Sequence, residues 1–166
     1  GCRSEVEEKD FTVNPKPSIA LSMNDSCVYK DIYYSARDLM NNVSNWYWDF
    51  GNGLHKGGNA VTKKFPREGN QSFTLITETD KGCKDTINRA FTIYDNDSYA
   101  GSDTLVARNQ PVFLNAKGGH DITYKWSPAV GLDNPNIEKP VAILDRDIEY
   151  TLYSITNKGC EHRSNI

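Results

Sequence analysis

Thr79-Asp80-Lys81-Gly82-Cys83 returns 77 residues later as Thr156-Asn157-Lys158-Gly159-Cys160. Upstream of each copy runs an alternating segment, with Phe73, Leu75 and Thr77 matched by Tyr150, Leu152 and Ser154 at the same offset. Trp48 and Trp126 are 78 residues apart, and Ile32-Tyr33-Tyr34-Ser35-Ala36 resembles Val112-Phe113-Leu114-Asn115-Ala116 at an offset of 80. Four features in the same order, with the small drift that loop insertions produce, mark an internal repeat. A chain of 166 residues is then two modules of about 75 to 80 residues rather than one larger domain. The spacing places 1–16 as a flexible leader, charged without apolar periodicity, 17–95 as the first module and 96–166 as the second. The polar cluster Tyr94-Asp95-Asn96-Asp97-Ser98-Tyr99 is the expected boundary.

Within each module apolar residues recur every second position, in short runs separated by turn residues, which is the pattern of half-buried strands. Expected strands in the first module are 18–23, 31–36, 45–50, 60–65, 72–79 and 86–94. Those in the second are 103–106, 111–116, 123–126, 141–143, 149–156 and a clipped last strand from Glu161. Six or seven short antiparallel strands cannot cover their own apolar faces as one sheet, so each module must pack two sheets face to face. The chain is therefore expected to be all-β, two β-sandwiches in tandem.

Composition narrows the function classes. Nineteen basic residues against 22 acidic ones give a formal charge of -3, without the basic field that gathers nucleic acid. The longest aliphatic runs, such as Val141-Ala142-Ile143-Leu144, fall far short of the ~20 residues of a membrane-spanning helix. His55, His120 and His162 have no neighbour at metal-ligand spacing, and no Ser or Cys has an identifiable base partner. No metal, cofactor or catalytic residue is therefore expected. Asp95, Asp97 and Asp103 have the loop carboxylates that calcium takes, but solvated linker charges are the reading preferred for them. Asn-x-Ser sequences at Asn24, Asn42, Asn70 and Asn96 would matter only in a eukaryotic secretory pathway.

Trp46-Tyr47-Trp48-Asp49-Phe50-Gly51-Asn52-Gly53 is the most specific stretch. Alternation puts Trp46, Trp48 and Phe50 on one face, expected as core together with Trp126, while Asp49, Gly51, Asn52 and Gly53 form a tight turn. The segment resembles the Trp-Asp-Phe-Gly-Asp-Gly signature of polycystic kidney disease (PKD) domains, with Asn52 in place of the second Asp. Lys64-Phe65, Pro66, Gly69 and Phe73-Thr74-Leu75 continue the likeness, which covers roughly 17–94. The second module reads Tyr124-Lys125-Trp126-Ser127-Pro128, then Gly131-Leu132 and Asn134-Pro135-Asn136. It is similar to the divergent PKD-like repeats of Bacteroidota surface proteins. The resemblance implies an immunoglobulin-like sandwich displayed outside the cytoplasm, with roles in spacing, adhesion or protein contact rather than catalysis.

The same resemblance implies a disulfide between Cys27 and Cys83, since family members with cysteines at both places usually bridge them; two free buried thiols are the alternative. Ala107 stands where the second module would repeat Cys27, which leaves Cys160 without a counterpart. Cys2, followed by Arg3-Ser4-Glu5-Val6-Glu7-Glu8, resembles the lipidated start of a mature bacterial lipoprotein. The alternatives for Cys2 are a bond to Cys160 or no special role. Any membrane attachment would run through that lipid anchor. By alternation Tyr34 and Tyr47 are assigned to the face opposite the core, a candidate platform for stacking sugars or docking a protein. The expected function is a non-catalytic surface module, its partner an unidentified protein or glycan at the cell surface. A carbohydrate-binding accessory module of a polysaccharide-processing system is the alternative.

Overall fold

The computed structural model describes residues 8–24 and 26–166. Twelve strands and no helix are found among them: β1 (Ile19–Met23), β2 (Asp31–Asp38), β3 (Val43–Asp49), β4 (His55–Gly57), β5 (Ala60–Lys64), β6 (Gly69–Thr79), β7 (Lys84–Ile93), β8 (Pro111–Phe113), β9 (Ile122–Ser127), β10 (Val141–Ile143), β11 (Thr151–Thr156) and β12 (Glu161–Asn165). They form four sheets, ordered β1-β2-β5, β4-β3-β6-β7, β10-β8 and β12-β11-β9. The protein is all-β, two immunoglobulin-like sandwiches. By contacts the chain divides into one unit of Gly1–Asn24, Tyr33–Thr62 and Ser72–Ala90 and another of Asp25–Ile32, Lys63–Gln71 and Phe91–Ile166. The second unit thus takes in 25–32, 63–71 and 91–95, which the expected cut near Asp95 assigned to the first module.

The first core is aromatic. Tyr34 on β2 packs edge-on against Phe50 and Phe73, with ring centroids 4.9 and 5.3 Å apart. Trp48 lies 5.5 Å from Phe73. Such offset and tilted pairs add to the burial of large apolar area. Trp46 shares the face of Trp48 but is only half-buried; its partner on β4 is Gly57, which offers no side chain to cover it. The second core gathers Leu114, Ala116, Tyr124, Trp126, Ala142, Tyr150 and Leu152 around Ala100.

The repeat is visible in hydrogen bonds as well as in strands. In the first copy the Thr79 hydroxyl accepts from Cys83 N at 3.1 Å and Thr79 N donates to the Cys83 carbonyl at 2.9 Å. In the second, Cys160 N donates to the Thr156 hydroxyl at 3.1 Å and Thr156 N to the Cys160 carbonyl at 3.0 Å. Gly82 and Gly159 sit at φ of 75° and 81°, a left-handed conformation that glycine adopts without steric cost. Each indole is tied the same way: Trp48 Nε1 donates to the Gly58 carbonyl and Trp126 Nε1 to the Ile137 carbonyl, both at 3.0 Å. A buried indole N–H without an acceptor would cost about 1–3 kcal/mol, so these two bonds let the tryptophans occupy the cores.

Three elements differ from expectation. β4 is a three-residue strand of exposed residues, without the apolar alternation that betrays the others. Residues 103–106 form no strand: Gly101, at φ of 113°, turns the chain away after the Tyr99–Lys117 bridge. The last strand, expected to be clipped, pairs with β11 from Glu161 to Asn165, and Ile166 exchanges both backbone bonds with Tyr150.

The turn from β2 to β3 is organised by Asp38, whose carboxylate accepts from Met40 N at 3.0 Å and Val43 N at 2.8 Å. Partial burial pushes its pKa up, but hydrogen bonds from the backbone of residues 40–43 outweigh that, and the net shift is downward. A lowered folded-state pKa gives stability that is present above the unfolded value of about 3.9 and is lost as pH falls through the folded value. Asp38→Asn should therefore melt below the wild type at pH 7, with the gap narrowing as the pH falls below about 4. A gap that is constant or widens on acidification contradicts this role.

Candidate functional site

Residues 26–29 run alongside the strand that leaves the first module. Tyr94 N donates to the Ser26 carbonyl at 2.7 Å, Val28 N to the Tyr94 carbonyl at 2.9 Å and Tyr29 N to the Phe65 carbonyl at 2.9 Å. This places Cys27 against the start of the second module. There it is bonded to Cys160, with an S–S distance of 2.08 Å and Cα atoms 5.5 Å apart. Cys83 carries no disulfide. The expected Cys27–Cys83 bridge is thus corrected, and Cys160 has a partner after all. The reason is geometric: the bonds to Tyr94 and Phe65 hold the Cys27 segment within the second unit, whereas Cys83 sits in the first unit's β6–β7 turn, its Sγ 3.8 Å from the Asn14 carbonyl.

Asn96 adds a buried network within the second unit. Its side-chain amide donates to the Cys160 carbonyl at 2.8 Å and to the Ser154 carbonyl and hydroxyl at 3.1 Å, and its Oδ1 accepts from Ser98 N and Ser98 Oγ. Asn96 and Ser98 are buried, so the expected polar boundary is a packed strand-like segment, and Asn96 is no acceptor for a glycan. Asp95, Asp97 and Asp103 are exposed, and no cluster of metal-ligating side chains occurs among the described residues. A disulfide closing 133 residues of chain removes denatured-state entropy worth at most about 5 kcal/mol. Cys2, the candidate lipidation site, lies outside the described residues.

The Asp49 turn forms as expected. Its Oδ1 accepts from Gly51 N at 2.7 Å and from Asn52 N and Gly53 N at 3.1 Å. Gly51 and Gly53 take φ of 88° and 96°, which explains glycine at both places.

The two platform tyrosines separate. Tyr34 is 1% exposed and lies in the aromatic core, where burial pushes its phenol pKa well up. It is no ligand platform, because Ile32, Tyr34 and Ala36 alternate inward while Tyr33 faces out. Tyr47 is on the outer face of the β4-β3-β6-β7 sheet, half-buried, between Lys56 on β4 and Ile76 on β6. Asn45 pairs with Glu78 and Asp49 with Thr74; the Thr74 hydroxyl donates to Asn88 Oδ1 at 2.7 Å. Lys84 Nζ lies 3.7 Å from Glu78 Oε1. An aromatic ring framed by amide, hydroxyl and charged groups on a sheet face can stack a ring and hydrogen-bond its edge. In the second unit a groove of about 540 Å³ is lined by Val106, Val112, Leu144, Ile148 and Ile166, among others. It opens where residues 103–106 leave the sheet.

A family model described as PKD domain matches residues 14–93. Residues 14–93 are a PKD domain. PKD domains are typically extracellular, non-catalytic accessory modules. The second sandwich lies outside the match and is related to the PKD domain here through the internal repeat. Among solved structures, the PKD1 domain of Vibrio anguillarum Epp is 20% identical, with 49% of this chain and 96% of that one covered and a TM-score of 0.42. The PKD1 domain of the Vibrio cholerae metalloprotease PrtV is 23% identical, with 48% and 98% covered and a TM-score of 0.40. A C-terminal fragment of intimin, solved with an intimin-binding domain of its receptor, is 11% identical, with 90% of this chain and 63% of that one covered and a TM-score of 0.58. That last likeness speaks to the fold alone. No curated protein matches the chain.

Proposed function

We propose that the chain is a non-catalytic extracytoplasmic surface module that mediates adhesion or protein contact, or spaces other domains from the cell surface. The observation that carries this reading is the Cys27–Cys160 disulfide in a chain whose residues 14–93 match a PKD domain. Structural disulfides form and persist outside the reducing cytosol. A bond closing so much of the chain suits a module that must keep its shape where chaperones do not reach it. The partner on this reading is a protein or glycan, not nucleic acid. Labelling intact cells that express the gene with a membrane-impermeant amine reagent should modify the protein as strongly as labelling after lysis. Modification confined to lysed cells contradicts the reading.

A second reading, binding of carbohydrate, is favoured by one feature, the Tyr47 face with Asn45, Thr74 and Asn88 around the ring. On a glycan array the wild type should then bind a limited set of polysaccharides, and Tyr47→Ala should lose at least tenfold in affinity while Tyr34→Phe, in the core, keeps it. An array with no selective binding, or binding indifferent to Tyr47, removes this reading and leaves protein contact or spacing.

A further inference from the structure

The disulfide sits near both extremes of the folded sequence. Twelve strands occur among the described residues; ten of them, β2 to β11, lie between Cys27 and Cys160, and only β1 and β12 lie outside. In a sandwich without such a bond, tension applied through the chain falls on its ladder hydrogen bonds, each of which adds only about 1 kcal/mol net. Here tension that enters on the N-terminal side of Cys27 and leaves on the C-terminal side of Cys160 meets a covalent shortcut instead. It passes along Cβ–Sγ–Sγ–Cβ between Cα atoms 5.5 Å apart, and everything from residue 28 to 159 hangs off the line of force as a closed loop.

We propose that the chain is a load-bypassing tether, in which the Cys27–Cys160 bond carries tension past both sandwich cores. The idea deepens the spacer reading above and rests on it for its biological use, although the mechanical test below stands or falls separately. The two strands left in the load path support it. β1 is an edge strand held by β2, and β12 is an edge strand held by β11. Edge strands in antiparallel ladders can be peeled bond by bond without opening the sheet behind them. They yield first, while the aromatic core around Trp48, the core around Trp126 and the outer face bearing Tyr47 stay folded. A binding surface between Cys27 and Cys160 would keep its shape under a pull that strips an unclosed domain.

Single-molecule stretching of the full chain, held by peptide tags fused to its two ends rather than through thiols, tests the proposal. Without reductant the extension should stop at roughly 105–115 Å, the reach of the residues outside the bond. With a dithiol reductant present it should lengthen by a further 440–480 Å or so, about the extended length of 133 residues. Cys83→Ser should leave both lengths unchanged. A reductant-dependent gain of only about 185–200 Å, the length closed by a Cys27–Cys83 bond, overturns the proposal. Full extension without reductant does the same. Either result can coexist with surface exposure in the intact-cell labelling, so failure of the tether does not entail failure of the surface reading.

Discussion

The bond from Cys27 to Cys160 depends on a chain of weaker interactions that bring one short segment to the right place. Backbone bonds to Tyr94 and Phe65 position residues 26–29. Asn96 then holds the Cys160 carbonyl and Ser154 in one buried network. A buried amide with its donors and acceptor engaged contributes specificity, because any shift of the segment leaves polar groups unpaired in a low-dielectric site. The disulfide makes that arrangement permanent. Cys27, Phe65 and Phe91 belong by contact to the second unit although the repeat assigns them to the first module.

Much of the architecture could be read from residues whose chemistry is local. Gly82 and Gly159 fall at positive φ because a Thr-x-x-Gly-Cys turn requires it, so the five-residue repeat carried its geometry with it. Trp48 and Trp126 are buried in equivalent places, each with its indole N–H satisfied by a backbone carbonyl ten or eleven residues on. The Asp49 turn followed from its own hydrogen-bonding groups. In each case the residue and its partner are close in sequence, and the pattern is nearly sufficient.

What escaped the sequence involves choices between distant partners. Cys83 and Cys160 occupy the same position in two copies of one turn, so Cys27 had two equivalent candidates, and the family pattern favoured the wrong one. Nothing local to either cysteine breaks that tie; the bonds of residues 26–29 to Tyr94 and Phe65 do. Asn96, Ser98 and Ala100 alternate inward, a period-two signal masked by small and polar side chains that read as a turn. Tyr34 was legible through the repeat itself, since its counterpart Leu114 is buried too; reading its tyrosine chemistry ahead of its neighbours Ile32 and Ala36 put it on the wrong face. β4 and the unpaired residues 103–106 lie at sheet margins, where pairing is set by the neighbouring strand and by Gly101.

The two sandwiches bury Tyr34, Trp48, Phe73, Trp126 and Tyr150 in their cores, while Tyr33 and Phe113 are exposed and Tyr47 is half-buried on an outer sheet face. Function on this account comes from holding such faces in fixed form outside the cell, and the covalent closure is what holds them. Peptide mapping of the unreduced protein tests that closure most directly. Tryptic sites at Lys30, Lys81, Lys84, Lys158 and Arg163 place Cys27, Cys83 and Cys160 in separate peptides. The account predicts one linked pair joining the Cys27 peptide to Gly159-Cys160-Glu161-His162-Arg163. A Cys27 peptide linked to Gly82-Cys83-Lys84 would contradict it.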